Sequence, residues 1–173
     1  MKVKGFFLRF RWYQWLIFAI AVAINVFIIV NSCLPGKEST EASGWLVTLL
    51  KNIVNGIKAD TITEENIGPF TSFVRKMIGH FSLFMVSGFF TTLSIKFLYL
   101  DKKEKFMLFI IFTCISGLFL ALLTEFIQRF VPGRSGEILD VLIDFSGYLL
   151  AVLILGIIIY FQINKTSDVE NKE

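Results

Sequence analysis

The chain has 173 residues, a net charge of +3, 55% hydrophobic and only 18% charged residues, with 20 phenylalanines, and its mean hydropathy is +0.70. Soluble domains carry about 25% charged residues, so an ordinary soluble enzyme is disfavoured, and high hydrophobicity with little charge excludes intrinsic disorder. The small positive charge is dispersed along the chain, which gives no case for nucleic acid as a partner.

In chain order, residues 1–11 form a basic tail with Lys2, Lys4, Arg9 and Arg11. An apolar run at residues 12–30 follows. Basic residues ahead of an apolar run also describe a signal peptide, and Ser32-Cys33 loosely resembles a lipoprotein cleavage site. The run is longer than the 7–15 residues typical of a signal-peptide core, so an uncleaved anchor is expected. Pro35-Gly36 breaks this helix, Lys37 to Ser43 reads as a polar turn region, and Trp45, Leu46, Leu49, Leu50, Ile53 and Ile57 recur at helical spacing. That spacing predicts an amphipathic helix that either caps the bundle or lies on the membrane surface as a lid or lipid-facing element. A turn at Asn66-Ile67-Gly68-Pro69 leads to a second apolar run, residues 77–98.

A short link with Lys96, Lys102, Lys103 and Lys105 precedes a third run, residues 106–126. After a second short link, residues 129–137, a fourth run covers residues 138–161. Each run supplies about 20 residues, enough to cross a hydrocarbon core of about 30 Å at 1.5 Å per residue. The predicted fold class is an all-α membrane protein: one four-helix domain over residues 12–161, an external loop at 32–76, and tails at 1–11 and 162–173. Residues 166–173 read as a polar, poorly ordered end. Lysine and arginine concentrate in the N-terminal tail and in the link between the second and third runs, which places both termini in the cytoplasm by the positive-inside rule.

The span interiors hold almost no charge, and the polar groups that point to chemistry cluster at the end opposite those basic segments. The second span opens with Arg75, Lys76 and His80, the sole histidine. At α-helical spacing residues 76, 79 and 80 share a face. The third span closes with Glu125, Gln128 and Arg129, and the fourth opens with Asp140 and Asp144 after Pro132-Gly133-Arg134. Each group has an ordinary explanation taken singly: interface anchoring for Arg75 and Lys76, packing for His80, an i, i+4 pair for Glu125 and Arg129, and a helix-dipole contact for Asp140. Their convergence at one level of a bundle is what points to a site, because ionisable groups at membrane depth are costly. Arg75, Lys76, His80, Glu125, Gln128, Arg134, Asp140 and Asp144 are therefore the expected binding residues. Cys33 and Cys114 suggest neither a disulfide nor a metal site, having no Cys or His neighbours at ligand spacing. No metal and no cofactor are expected.

The ordered set Arg75-Lys76-x-x-x-His80-Phe81, Glu125-x-x-Gln128-x-x-x-Pro132-Gly133-Arg134-Ser135 and Asp140-x-x-x-Asp144-x-x-Gly147 resembles the VanZ-like family. That family is named for an accessory protein of bacterial glycopeptide-resistance clusters associated with teicoplanin resistance. Two departures stand out: Leu83-Phe84 where the family often has Glu-Tyr, and Thr124-Glu125 where it often has Asp-Glu. The resemblance implies a multi-pass protein of the bacterial cell membrane and a phenotype, reduced glycopeptide sensitivity, without a reaction. Two classes of function stay open. One is a non-enzymatic envelope protein that acts at the outer leaflet on the drug or on lipid-linked cell-wall precursors. The other is a membrane enzyme on a lipid-linked phosphate or sugar, with His80 or a carboxylate as acid or base. The absence of a nucleophile or metal motif of known spacing counts against the enzyme, and the lack of an inverted repeat counts against a transporter. Membrane lipid is the expected partner, and oligomeric state is not legible.

Overall fold

The computed structural model describes residues 11–99 and 105–170, all helical or in connecting turns. Six helices follow in order: α1 (Trp12–Ser32), α2 (Gly36–Ile57), α3 (Ile67–Phe73), α4 (Ser82–Tyr99), α5 (Phe106–Gln128) and α6 (Ile138–Glu170), with a π-helical stretch, Val74–Phe81, joining α3 to α4. Four segments are long and apolar enough to cross a membrane: Trp12–Ser32, Ile67–Leu98, Phe106–Gln128 and Ile138–Lys165. The basic tail residues Lys2, Lys4 and Arg9, and Lys102 and Lys103 of the link, lie outside the described residues.

The spans are apolar outside and more polar within, as lipid demands. On α5, Phe112, Ile115, Phe119, Leu122 and Phe126 are exposed, a stripe at helical spacing. The opposite face buries Thr113, Gly117, Ala121, Thr124, Glu125 and Gln128. Helix α6 is the central element, packed against α4, α5 and the π-helical stretch, while α1 packs on α4 and α5. Tyr148, on α6, is buried at the middle among Ile28, Phe84, Leu120, Ala121 and Val152. It fits there because Gly88 and Gly117 leave room: a Cβ on either would run into Tyr148. Its hydroxyl meets Ser116 Oγ at 2.9 Å. Gly147, the next residue, lets α6 lie against the Phe81 carbonyl, which a Cβ would strike. Such close backbone approach is how helices associate where the hydrophobic effect no longer drives them together.

Small residues do not all serve this purpose. Gly79 has open space around it and Ser146 is exposed, so neither is a packing notch. The polar contact between α1 and α4 comes instead from Asn25, which accepts from Ser87 Oγ at 2.6 Å and donates to Thr91 Oγ1 at 3.3 Å. Asn25→Leu removes both bonds. We expect a loss of roughly 0.6–1.7 kcal/mol, the range for interhelical hydrogen bonds in membranes, read as a lower unfolding midpoint in detergent.

Three local expectations are corrected. The segment from Lys37 to Ser43 is no turn region: α2 starts at Gly36 directly after Pro35. The start is held because the Gly36 N–H donates to the Pro132 carbonyl at 3.1 Å, and Lys, Glu, Ala and Thr are tolerable in the helix that follows. Likewise Ile67-Gly68-Pro69 is the first turn of α3 rather than a turn before the span, a place where proline's missing N–H costs nothing. Finally, α6 continues to Glu170, past the expected span end at residue 161. The expected stripe on α2 is present, with Trp45, Leu49, Ile53 and Ile57 exposed.

Candidate functional site

The end of the bundle where α2 begins, α5 ends and α6 begins collects the ionisable groups. Two tight turns shape it. Gly133 takes φ +73°, a conformation that suits glycine, and it packs on Gly36 so closely that a Cβ on Gly36 would collide with its carbonyl. Gly136 sits equally close to the Glu125 carbonyl. The link between α5 and α6 is thereby folded back onto both the start of α2 and the end of α5.

The π-helical stretch supplies the basic side. A π-helix closes i→i+5 bonds and is frequent at functional sites. Its wider turn brings Arg75 and His80, five residues apart, to one cavity, whereas α-helical spacing groups residues 76, 79 and 80. Arg75 Nη1 donates to Thr40 Oγ1 at 3.0 Å. Lys76 Nζ lies 2.5 Å from Asp140 Oδ1 and 3.4 Å from Glu137 Oε2. His80 Nδ1 lies 3.2 Å from Asp144 Oδ1.

Facing them, Glu125 is 4% exposed and Asp144 is fully buried. Glu125 Oε1 accepts from Gln128 Nε2 at 3.1 Å, and Oε2 accepts from the Glu137 N–H at 3.0 Å. Gln128 Oε1 in turn accepts from Arg134 Nη1 at 3.4 Å. Arg134 also donates to the Leu34 and Asn31 carbonyls, at 3.3 and 3.1 Å. The Asn31 carbonyl lies in the last turn of α1 and that of Leu34 just beyond it, where cations are favoured. Burial and the neighbouring Arg75 charge lower the Arg134 pKa from its ordinary value. The Glu137 carboxyl is lowered by the Ser135 hydroxyl and then by Lys76, so it stays ionised under mildly acidic conditions.

Seven of the eight expected binding residues line two adjoining hollows at this end; Glu125 lines neither and stands behind them, bonded to Gln128. One hollow, of about 220 Å³, is lined by Arg75, His80, Gln128 and Asp144 beside apolar side chains including Phe27 and Leu83. The other, of about 320 Å³, is lined by Arg75, Lys76, His80, Gln128, Arg134 and Asp140. Arg75, His80 and Gln128 form their shared wall. One half of the cleft is apolar and the other mixes charges: Glu137 and Asp140 line it as well and take up Lys76, so Arg75 and Arg134 are the cations left to meet the anionic head of a molecule with a greasy tail. Glu137 and Thr40 were not among the expected site residues. Glu137 was legible, standing three positions before Asp140 and so on its face. Thr40 was hidden by reading its segment as a turn region.

Four spanning helices around a buried polar cluster define a multi-pass membrane protein. A family model described as VanZ/LLP1 matches residues 5–160, and the chain belongs to the VanZ-like family. No curated protein matches the chain, and no solved structure does.

Proposed function

We propose that this protein sits in a bacterial cell membrane with both termini in the cytoplasm, and that the cleft opens at the outer leaflet and binds the anionic headgroup of a lipid-linked cell-wall precursor. Binding there lowers sensitivity to teicoplanin-type glycopeptides by changing how the drug meets its lipid-linked target. The observation that carries this reading is that Arg75 and Arg134 line a hollow that adjoins an apolar one, while Lys76 is engaged by Glu137 and Asp140. Guanidinium groups suit bidentate contact to phosphate or carboxylate, and the apolar wall suits the first carbons of a lipid. The exposed stripe of α2 fits a helix lying on that outer surface.

Orientation has its own test. A Lys103→Cys variant is expected to react with an impermeant thiol reagent only after cells are opened; labelling in intact cells contradicts the topology. For function, teicoplanin susceptibility is measured together with membrane abundance in Arg75→Gln. Abundance like the parent with lost drug tolerance supports the reading. Susceptibility that merely tracks abundance leaves only an ion-paired scaffold.

A second reading has a specific observation behind it. His80, Glu125 and Asp144 bring an imidazole within 4.8 Å of two buried carboxylates, a set that can move protons. Under that reading the protein is a membrane enzyme on a lipid-linked phosphate or sugar, and turnover of the bound lipid is the discriminating assay.

A further inference from the structure

His80, Glu125 and Asp144 come from three different helices, and each offers a ligand atom within 4.8 Å of the other two. Asp144 is fully buried, yet neither of its carboxylate oxygens has a hydrogen-bond partner among the described residues. A buried carboxylate without donors is expensive, and the ion-pair partner of Asp144 among the described residues is His80, with Nδ1 at 3.2 Å from Oδ1. Lys51 pairs with Glu64 and Lys76 with Glu137 and Asp140, and neither lysine pairs with Glu125 or Asp144. Two carboxylates and one imidazole therefore cluster with no lysine or arginine ion pair to either carboxylate among the described residues.

We propose that His80, Glu125 and Asp144 bind a divalent transition-metal ion of the zinc or manganese class. A dication with a neutral imidazole and two carboxylates is charge-neutral, which resolves the burial cost that a protonated histidine alone leaves half met. One nitrogen and two carboxylate oxygens are a donor set those ions accept. With bonds of about 2.0–2.2 Å, neighbouring ligand atoms of a tetrahedral site lie about 3.4 Å apart; His80 and Asp144 already stand that close, and the ligand atoms of all three lie within 4.8 Å of one another. The outer contacts are already in place. Gln128 Nε2 and the Glu137 N–H hold the two oxygens of Glu125, the kind of support that orients metal ligands. Three protein ligands leave a position open. His80 lines both hollows and Asp144 lines the apolar one, so that position faces the cleft bordered by Arg75. The ion does not rest on the headgroup reading, but its open position gives a phosphate oxygen of such a headgroup a place to bind. Spacing rules miss this set because the ligands share no local motif.

The test uses full-length protein purified in detergent with a tag free of histidine, stripped with chelator, then loaded with zinc or manganese chloride and desalted. Elemental analysis is expected to find a near-stoichiometric ion, and loading is expected to raise the unfolding temperature. His80→Ala and Asp144→Asn are expected to lose the ion. Because either variant could fold poorly, Gln128→Leu serves as the second: it keeps all three ligands, loses the bond to Glu125, and weakens binding about 10–100-fold. A folded, monodisperse parent that stays ion-free after loading overturns the inference, as does binding that is unchanged in all three variants. Lipid retained on the same samples separates the two claims. Ion-free protein that keeps its lipid overturns the metal site alone, whereas loaded protein without lipid supports the metal site and counts against the headgroup reading.

Discussion

Gly147→Leu is expected to remove nearly all folded protein from the membrane. The α6 backbone at Gly147 lies against the Phe81 carbonyl, leaving no room even for a Cβ. Overpacking against side chains costs typically 1–3 kcal/mol, but a carbonyl of the main chain cannot rotate aside, so the helices must part. Parting them undoes more than local packing. Phe81 ends the π-helical stretch that carries His80, and Gly147 lies one turn beyond Asp144, so the 3.2 Å contact between those two residues depends on the same approach. Gly147→Ala should be intermediate. Size-exclusion profiles and unfolding midpoints of the detergent-solubilised variants check the series. A leucine variant as monodisperse and as stable as the parent means that α6 and the π-helical stretch are further apart than described.

The second large effect separates two arginines that look alike in the sequence. Arg134 donates to the Asn31 and Leu34 carbonyls and to Gln128, so it ties the α5–α6 link to the end of α1. Arg134→Gln takes the guanidinium donor from the part-buried Leu34 carbonyl and from Gln128, while the Asn31 carbonyl keeps the Leu34 N–H; the loss is about 1–3 kcal/mol, and lower folded yield is expected. Arg75 makes its one described side-chain hydrogen bond to Thr40 and lines both hollows. Arg75→Gln is expected to fold normally and to bind an anionic headgroup about tenfold to a hundredfold more weakly, the loss of one charge-assisted contact of about 1.5–3 kcal/mol. Thermal stability and lipid retention, measured on both variants, check the division. Equal retention in Arg75→Gln and the parent removes Arg75 from the binding surface.

Much of the fold was legible because a bilayer imposes a simple rule. A run of about 20 apolar residues spans, and its ends are marked by charge. The convergence of His80, Glu125 and Asp144 at one level followed from span ends alone. What the sequence hid was geometry of a few residues. The π-helical stretch at Val74–Phe81 has no compositional mark, and it turns Arg75 onto the face of His80. The start of α2 at Gly36 depends on Gly133 and Pro132, nearly a hundred residues away, which no local propensity reports. The pairing within the cluster was hidden for the same reason. Glu125 and Arg129 stand at i, i+4 spacing, yet Glu125 takes its hydrogen bonds from Gln128 and the Glu137 N–H. Lys76 finds Asp140 and Glu137 across the bundle.

Native mass spectrometry of the protein released from its own membrane tests the central claim most directly, since it weighs whatever the cleft holds. A phosphate-bearing, lipid-linked precursor retained by the parent, and depleted in an equally abundant Arg75→Gln variant, is the predicted result. Parent and variant carrying the same bulk phospholipids in the same proportions, with no selected lipid, would contradict it.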